Sequence, residues 1–120
     1  MEIVQVSSEK NIFSSNLLKK ILKKKLTIGI IGLGYVGLPL ALSFCKRNIK
    51  VLGFEKKKRI INLLNKGKSH IHHIESKPIE KGLASKLFFA TDDYSNIKKV
   101  DVIIICVPTP LNKVLELSGY

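Results

Sequence analysis

The tightest constraint on the fold lies in residues 26–55: an apolar run at 26–31, the glycine-punctuated turn Gly32-Leu33-Gly34-Tyr35-Val36-Gly37, an amphipathic stretch at 35–47, a second apolar run at 50–54, then Glu55. Nearly continuous apolar strands leave no face for water, so they belong in a parallel sheet covered by helices. At the first strand-to-helix junction Gly32 permits a tight turn, Gly34 removes a Cβ where an anionic group approaches the backbone, and Gly37 lets the helix pack close to the strand. The first amides of a helix have no intrahelical partner and lie at its positive end, which suits a pyrophosphate. Glu55 follows Gly32 by 23 residues, close to the ~20-residue interval at which a carboxylate meets the ribose hydroxyls of a dinucleotide. Strand, turn, helix, strand and acid in this order point to a dinucleotide site, against the competing explanation that the glycines serve packing alone.

The rest of the chain continues the alternation. The helix at 35–47 buries Val36, Leu38, Leu40, Ala41, Phe44 and Cys45, and Pro39 sits in its first turn, where no hydrogen bond is forfeited. A helix at 57–66 turns Ile60, Ile61, Leu63 and Leu64 inward; a short helix runs from Pro78 to near Gly82. Strands are expected at 87–90 and 100–107, with a helical turn at 94–98 between them. The fold class is therefore α/β, a Rossmann-like parallel sheet with helices on both faces, forming the first half of a doubly wound domain. A length of 120 residues allows one domain. It divides into an N-terminal extension at 1–25, the sheet domain at 26–112 and a tail at 113–120. Residues 1–14 lack periodicity and are expected to be loosely ordered. From Ser15 to Lys25 Leu17, Leu18, Ile21 and Leu22 share one helical face and Lys19, Lys20, Lys23 and Lys24 the other. A helix docked on the domain is favoured there over one lying on an anionic membrane.

The 21 Lys and Arg against 9 Asp and Glu give a net charge of +12, which raises nucleic acid, an acidic membrane or an anionic ligand as partners. Only Arg47 and Arg59 are arginine, and specific nucleic-acid readers rely on arginine's planar fork. A non-enzymatic basic module for nucleic acid or acidic membrane is thus the alternative to an anionic nucleotide ligand; neither nucleic acid nor membrane is the expected partner. No apolar run reaches the ~20 residues of a bilayer span, and none resembles an export signal. Cys45 and Cys106 lie within apolar runs and read as core thiols of a cytoplasmic protein, not as nucleophiles. His70, His72 and His73 lack further Cys or His at metal spacing and read as a solvated loop, so no metal is expected.

Cofactor choice turns on Glu55, because a carboxylate accepts the ribose 2′-OH and repels a 2′-phosphate, favouring NAD over NADP. Lys56, Lys57, Lys58 and Arg59 follow at once; they read as the solvated first turn of a helix, with a phosphate clamp as the alternative. In the 3-2-1-4 strand order the first and fourth strands are neighbours, so Gly32 and Pro108 flank one cleft and Thr109 presents its hydroxyl to the ribose or nicotinamide side. A plain strand terminator is the other reading of Pro108-Thr109-Pro110.

The segment 28–41, reading IGIIGLGYVGLPLA, together with Gly53-Phe54-Glu55, Arg59-Ile60, Ala90-Thr91-Asp92 and Cys106-Val107-Pro108-Thr109-Pro110-Leu111, resembles the UDP-glucose/GDP-mannose dehydrogenase family, above all its bacterial UDP-N-acetylglucosamine 6-dehydrogenases. The resemblance covers about residues 16–112 and implies NAD-dependent oxidation of a sugar C6 alcohol to a carboxylate by two hydride transfers. It implies that Gly32, Leu33, Gly34, Tyr35, Val36 and Gly37 hold the pyrophosphate, with the Tyr35 and Val36 amides donating. It also implies that Glu55 holds the adenine ribose, Arg59 lies beside the adenosine and Thr109 touches the nicotinamide half. Glu55 stands where many members have aspartate. The family's catalytic cysteine and its partners lie well downstream of the CVPTP segment, so no catalytic residue transfers to this chain. The expectation is a truncated, NAD-binding portion that is inactive alone, with the UDP-sugar a partner of the full-length enzyme only.

Overall fold

Alternation along each strand sorts its side chains into two layers, and the sheet follows from that sorting. The computed structural model describes residues 26–107 and, as backbone, residues 2–7. Five strands, β1 Glu2–Ser7, β2 Thr27–Ile31, β3 Lys50–Phe54, β4 Phe88–Thr91 and β5 Val102–Val107, form one sheet in the order β1-β5-β2-β3-β4. They are joined by helices α1 Gly37–Lys46, α2 Lys58–Asn65 and α3 Lys77–Ala84 and by a 3-10 helix, Tyr94–Lys99. All pairs are parallel. The run β4-β3-β2-β5 is the 3-2-1-4 order of a Rossmann half-domain, as expected.

Register explains the packing. Ile28 lies opposite Val51 and Val102, and Ile30 opposite Gly53 and Ile104. Ile28, Ile30, Val51 and Ile104 point to one face, where they meet Leu38, Ala41 and Phe44 of α1, Ile60, Ile61 and Leu64 of α2 and Ile79 of α3. The alternate residues Leu52, Phe54 and Ile103 point to the other face, which is covered by Val100 and by Ile97 of the 3-10 helix. Phe54 also stacks on Tyr94, with ring centroids 5.3 Å apart. Both faces thus carry helices among the described residues, three α-helices on one and the 3-10 helix on the other.

The outer edge of β4 is protected by one side chain. Asn65, the last residue of α2, donates from Nδ2 to the Ala90 carbonyl at 2.8 Å and accepts the Ala90 N–H on Oδ1 at 3.0 Å. It thereby satisfies edge backbone groups that burial would otherwise leave unpaired.

Several element bounds differ from expectation for local reasons. Helix α1 begins at Gly37, two residues late, because residues 34–36 form the turn that redirects the chain from β2; Leu38 N–H and Leu40 N–H then close on the Gly34 and Val36 carbonyls. Val36, Leu40 and Leu63 are half-buried. Strand β5 begins at Val102, because Asp101 is engaged with Thr27: its N–H donates to the Thr27 carbonyl and its Oδ2 accepts the Thr27 N–H, both at 2.8 Å. The largest departure is β1. Residues 2–7 are not loose but paired in parallel with β5 from Glu2 opposite Val102 to Ser7 opposite Val107. The open β5 edge offers a row of unpaired backbone groups, and Glu-Ile-Val-Gln-Val-Ser is short, β-branched and alternating enough to take them. The segment 15–25, Pro108, Thr109 and the tail 113–120 lie outside the described residues.

Candidate dinucleotide-binding site

Residues 32–37 lie at the carboxyl end of β2, between the ends of β3 and β5. Gly32 N–H donates to the Phe54 carbonyl at 2.8 Å, which ties the turn to β3. The three loop glycines are there for two distinct reasons. Gly32 has φ +95°, and a Cβ on it would run into the Cys106 carbonyl oxygen; a Cβ on Gly37 would run into the Gly32 carbonyl oxygen. These two are demanded by the protein's own packing. Gly34 is different: a Cβ there meets no heavy atom within 4 Å, and its φ is not in the left-handed region. Packing gives no reason for glycine at position 34.

The space beside Gly34 is lined by donors. Among the described residues the amides of Gly34, Tyr35 and Val36 have no backbone or side-chain acceptor. Helix α1 starts with no side-chain cap and no acidic residue in its first turn, so its positive end is left uncompensated. A pyrophosphate fits this cradle in charge, in hydrogen-bonding sense and in the room that the missing Cβ leaves.

Glu55 closes the adjoining wall. Its Oε1 accepts the Leu33 N–H at 3.2 Å, and its Oε2 accepts the N–H groups of Lys56 and Lys57 at 3.0 and 3.1 Å. The carboxylate is half-buried and held from the glycine loop on one oxygen and from the start of α2 on the other. With roughly four lone-pair sites on a carboxylate, three of them so used, acceptor capacity remains for a ribose hydroxyl. Arg59 and Lys56 to Lys58 are exposed beside it. Leu33 itself is fully buried. It fills the space above Gly53, where a Cβ would come within 2.7 Å of Leu33 Cδ1. Gly53 thus belongs with the loop it supports, and a glycine inside a strand is the sequence sign of such close approach.

The loop 68–76 departs from the solvated loop expected. Ile71 is 6% exposed and belongs to the core. Ser69 Oγ accepts the Ile71 N–H and donates to the Ile71 carbonyl, and Ser76 Oγ accepts the Ser69 N–H. His73 stacks on the exposed Tyr35 ring of the glycine loop, centroids 5.6 Å apart and planes 15° apart. His70 is half-buried, its Nδ1 buried without a hydrogen-bond partner among the described residues; burial holds its pKa below the usual histidine range, against the opposing pull of Glu55. Among the described residues no three His, Cys, Asp or Glu side chains come together as a metal site.

Both cysteines are core thiols. Burial pushes Cys106 up to about 11 and Cys45 to about 12, so neither supplies a thiolate near neutrality. Cys45 Sγ instead donates to the Leu87 carbonyl at 3.5 Å. No helix among the described residues is long and apolar enough to cross a membrane.

Comparison with known proteins agrees with this geometry. The family model described as "UDP-glucose/GDP-mannose dehydrogenase family, NAD binding domain" matches residues 26–118. UDP-N-acetyl-D-mannosamine dehydrogenase of Pyrococcus horikoshii is 35% identical over 86 residues, 71% of this chain and 21% of that protein. UDP-N-acetyl-D-glucosamine 6-dehydrogenase of Salmonella typhi is 45% identical over 86 residues, 71% of this chain and 19% of that protein. Among solved structures, a ternary complex of GDP-mannose dehydrogenase from Pseudomonas aeruginosa superposes with a TM-score of 0.66 at 34% identity, over 69% of this chain and 20% of that one. The chain thus spans about a fifth of the length of the relatives it matches. It belongs to the UDP-glucose/GDP-mannose dehydrogenase family, in which it corresponds to the NAD binding domain.

Proposed function

We propose that residues 26–112 are the NAD-binding portion of a cytoplasmic nucleotide-sugar 6-dehydrogenase acting on a UDP-N-acetylhexosamine. In this reading the amides at Gly34, Tyr35 and Val36 hold the pyrophosphate, Gly32, Leu33 and Gly37 shape the loop, and Glu55 accepts the adenine ribose hydroxyls. Arg59 flanks the adenosine, and Thr109 reaches toward the nicotinamide half. Bound NAD supplies the hydride acceptor for oxidation of the sugar C6 alcohol to the uronic acid. This chain's contribution is to bind and orient; none of its residues matches a catalytic position of the family, so the chain alone turns over no UDP-sugar.

One observation carries the reading: Gly34 is a glycine that the protein's own packing does not require, set among three amides without acceptors. A ligand that must approach the backbone accounts for both. The UDP-N-acetylhexosamine assignment draws on the named relatives, which act on the mannosamine and glucosamine forms. Titration with NAD and NADP tests the cofactor: NAD binding, weak in this chain but tighter than NADP, is expected, and preference for NADP would overturn the role of Glu55. NADH formation from a UDP-sugar by the purified chain would refute the statement that it is inactive alone.

A further inference from the structure

The two edges of the sheet are closed in different ways. On β4 a single side chain, Asn65, occupies the backbone groups of Ala90. On β5 a whole strand is used: residues 2–7 pair with it in parallel over six consecutive positions, from Glu2 opposite Val102 to Ser7 opposite Val107. In a doubly wound sheet of order 3-2-1-4-5-6 the neighbour of the fourth strand is the fifth. Here β5 stands in the fourth place, and β1, drawn from the other end of the sequence, stands in the fifth.

The two ladders of β5 differ in extent. With β2 the register runs from Ile28 opposite Val102 to Ile31 opposite Ile105 and stops there; beyond it the Gly32 N–H goes to the Phe54 carbonyl of β3 and the Leu33 N–H to Glu55. With β1 the register continues through Cys106 and Val107. Among the described residues these two therefore have strand pairing from β1 alone. Cys106 is also the part of β5 that meets the glycine turn: a Cβ on Gly32 would run into its carbonyl oxygen, and one on Gly37 would come within 3.3 Å of its Cβ. We propose that residues 2–7 are a positioning strand of the dinucleotide site, standing in the place of a fifth sheet strand and holding the carboxyl end of β5 against the glycine turn. The link to ligand binding rests on the NAD-binding reading above; the hold on Cys106 and Val107 does not.

Because β1 makes one ladder only, it can detach while β5, β2, β3 and β4 stay together, so its opening is a local event. Detachment frees Cys106 and Val107, which must then be ordered again when a diphosphate settles on the turn. Ordering the backbone of one residue weakens affinity by about fivefold to thirtyfold.

The test is amide hydrogen exchange on the 120-residue chain, with the parent beside V4P/Q5P and V4I/Q5T and with NAD titrated into each. Successive N–H groups of a parallel strand point to opposite neighbours, so two adjacent prolines remove a ladder donor whichever way the pair faces, whereas Ile and Thr keep the strand. In the parent, the alternate amides of residues 102–107 that face away from β2 are expected to exchange slowly and to open together with the amides of residues 3–6 that face β5. In V4P/Q5P that outward set is expected to become fast while the set facing β2 stays slow, the Gly32 and Gly37 amide resonances to shift, and NAD to bind at least about fivefold more weakly. V4I/Q5T is expected to match the parent. Fast exchange of the outward set in the parent would overturn the placement of the strand, whether or not the proline variant folds. Unchanged NAD affinity in a folded V4P/Q5P would overturn the positioning role while leaving the cofactor reading intact. Failure of millimolar NAD to perturb any glycine-loop amide in the parent would overturn the cofactor reading, and with it the strand's part in binding.

Discussion

Gly34→Ala separates binding from folding more cleanly than any other substitution at the site. In the folded chain the added methyl meets no heavy atom within 4 Å, and the backbone there is not left-handed. Its cost to stability is therefore that of an ordinary surface change, within about 0.5 kcal/mol, and loss of glycine's freedom in the unfolded chain can make it a gain. The methyl does, however, occupy the space through which a phosphate must come to reach the Gly34, Tyr35 and Val36 amides. Losing one hydrogen bond to a charged group costs about 1.5–3 kcal/mol, or roughly tenfold to 150-fold in affinity. The assay pairs a urea melt with an NAD titration followed by amide resonances. G34A is expected to melt like the parent and bind NAD at least about tenfold more weakly. Gly37→Ala, whose Cβ would collide with the Gly32 carbonyl, is expected to lose the fold instead. An unfolded G34A, or a folded G34A that binds NAD as the parent does, would refute the division of the glycines into packing and ligand positions.

Other consequences are open to measurement. Glu55→Gln retains an acceptor for the Leu33 N–H but removes the charge, so NAD is expected to weaken by about 1.5 kcal/mol and the preference over NADP to narrow; an unchanged NAD/NADP ratio would count against Glu55 as the discriminating residue. Asn65→Ala strips both hydrogen bonds from the buried Ala90 backbone, and a loss of about 2–3 kcal/mol is expected in chemical denaturation, where a change under 0.5 kcal/mol would contradict it. Because burial lowers the pKa of folded His70 from 6.5, the unfolded chain binds more protons just below that pH, and stability should fall as the solution is acidified through it. His70→Gln should remove that component of the pH dependence, and a parent-like slope in the variant would be the contrary result.

What could be read from the residues, and what could not, divides by the range of the interaction. The strands β2 and β3, the order β4-β3-β2-β5 and the placement of Glu55 against the glycine turn came from local periodicity and a spacing of 23 residues. Glycine content alone did not distinguish Gly34 from Gly32 and Gly37, since only the surrounding atoms show which Cβ has a collision to avoid. The polar run 68–76 reads as solvated because nothing in its local pattern marks Ile71 as a core residue; its burial with the strands and helices of one sheet face is a tertiary fact. The β1 strand is illegible in residues 2–7 for a similar reason. Its pairing depends on an open edge at β5, which is a property of the assembled sheet.

The most direct test is where NAD touches this chain. Titration of the isotopically labelled protein with NAD, read as backbone amide shifts, is expected to move Gly34, Tyr35, Val36 and Glu55 first, even if binding is weak. Shifts that gather instead in the groove between the end of α1 and α3, lined by Leu42, Lys46, Lys77 and Lys81, or no shifts at millimolar NAD, would contradict it.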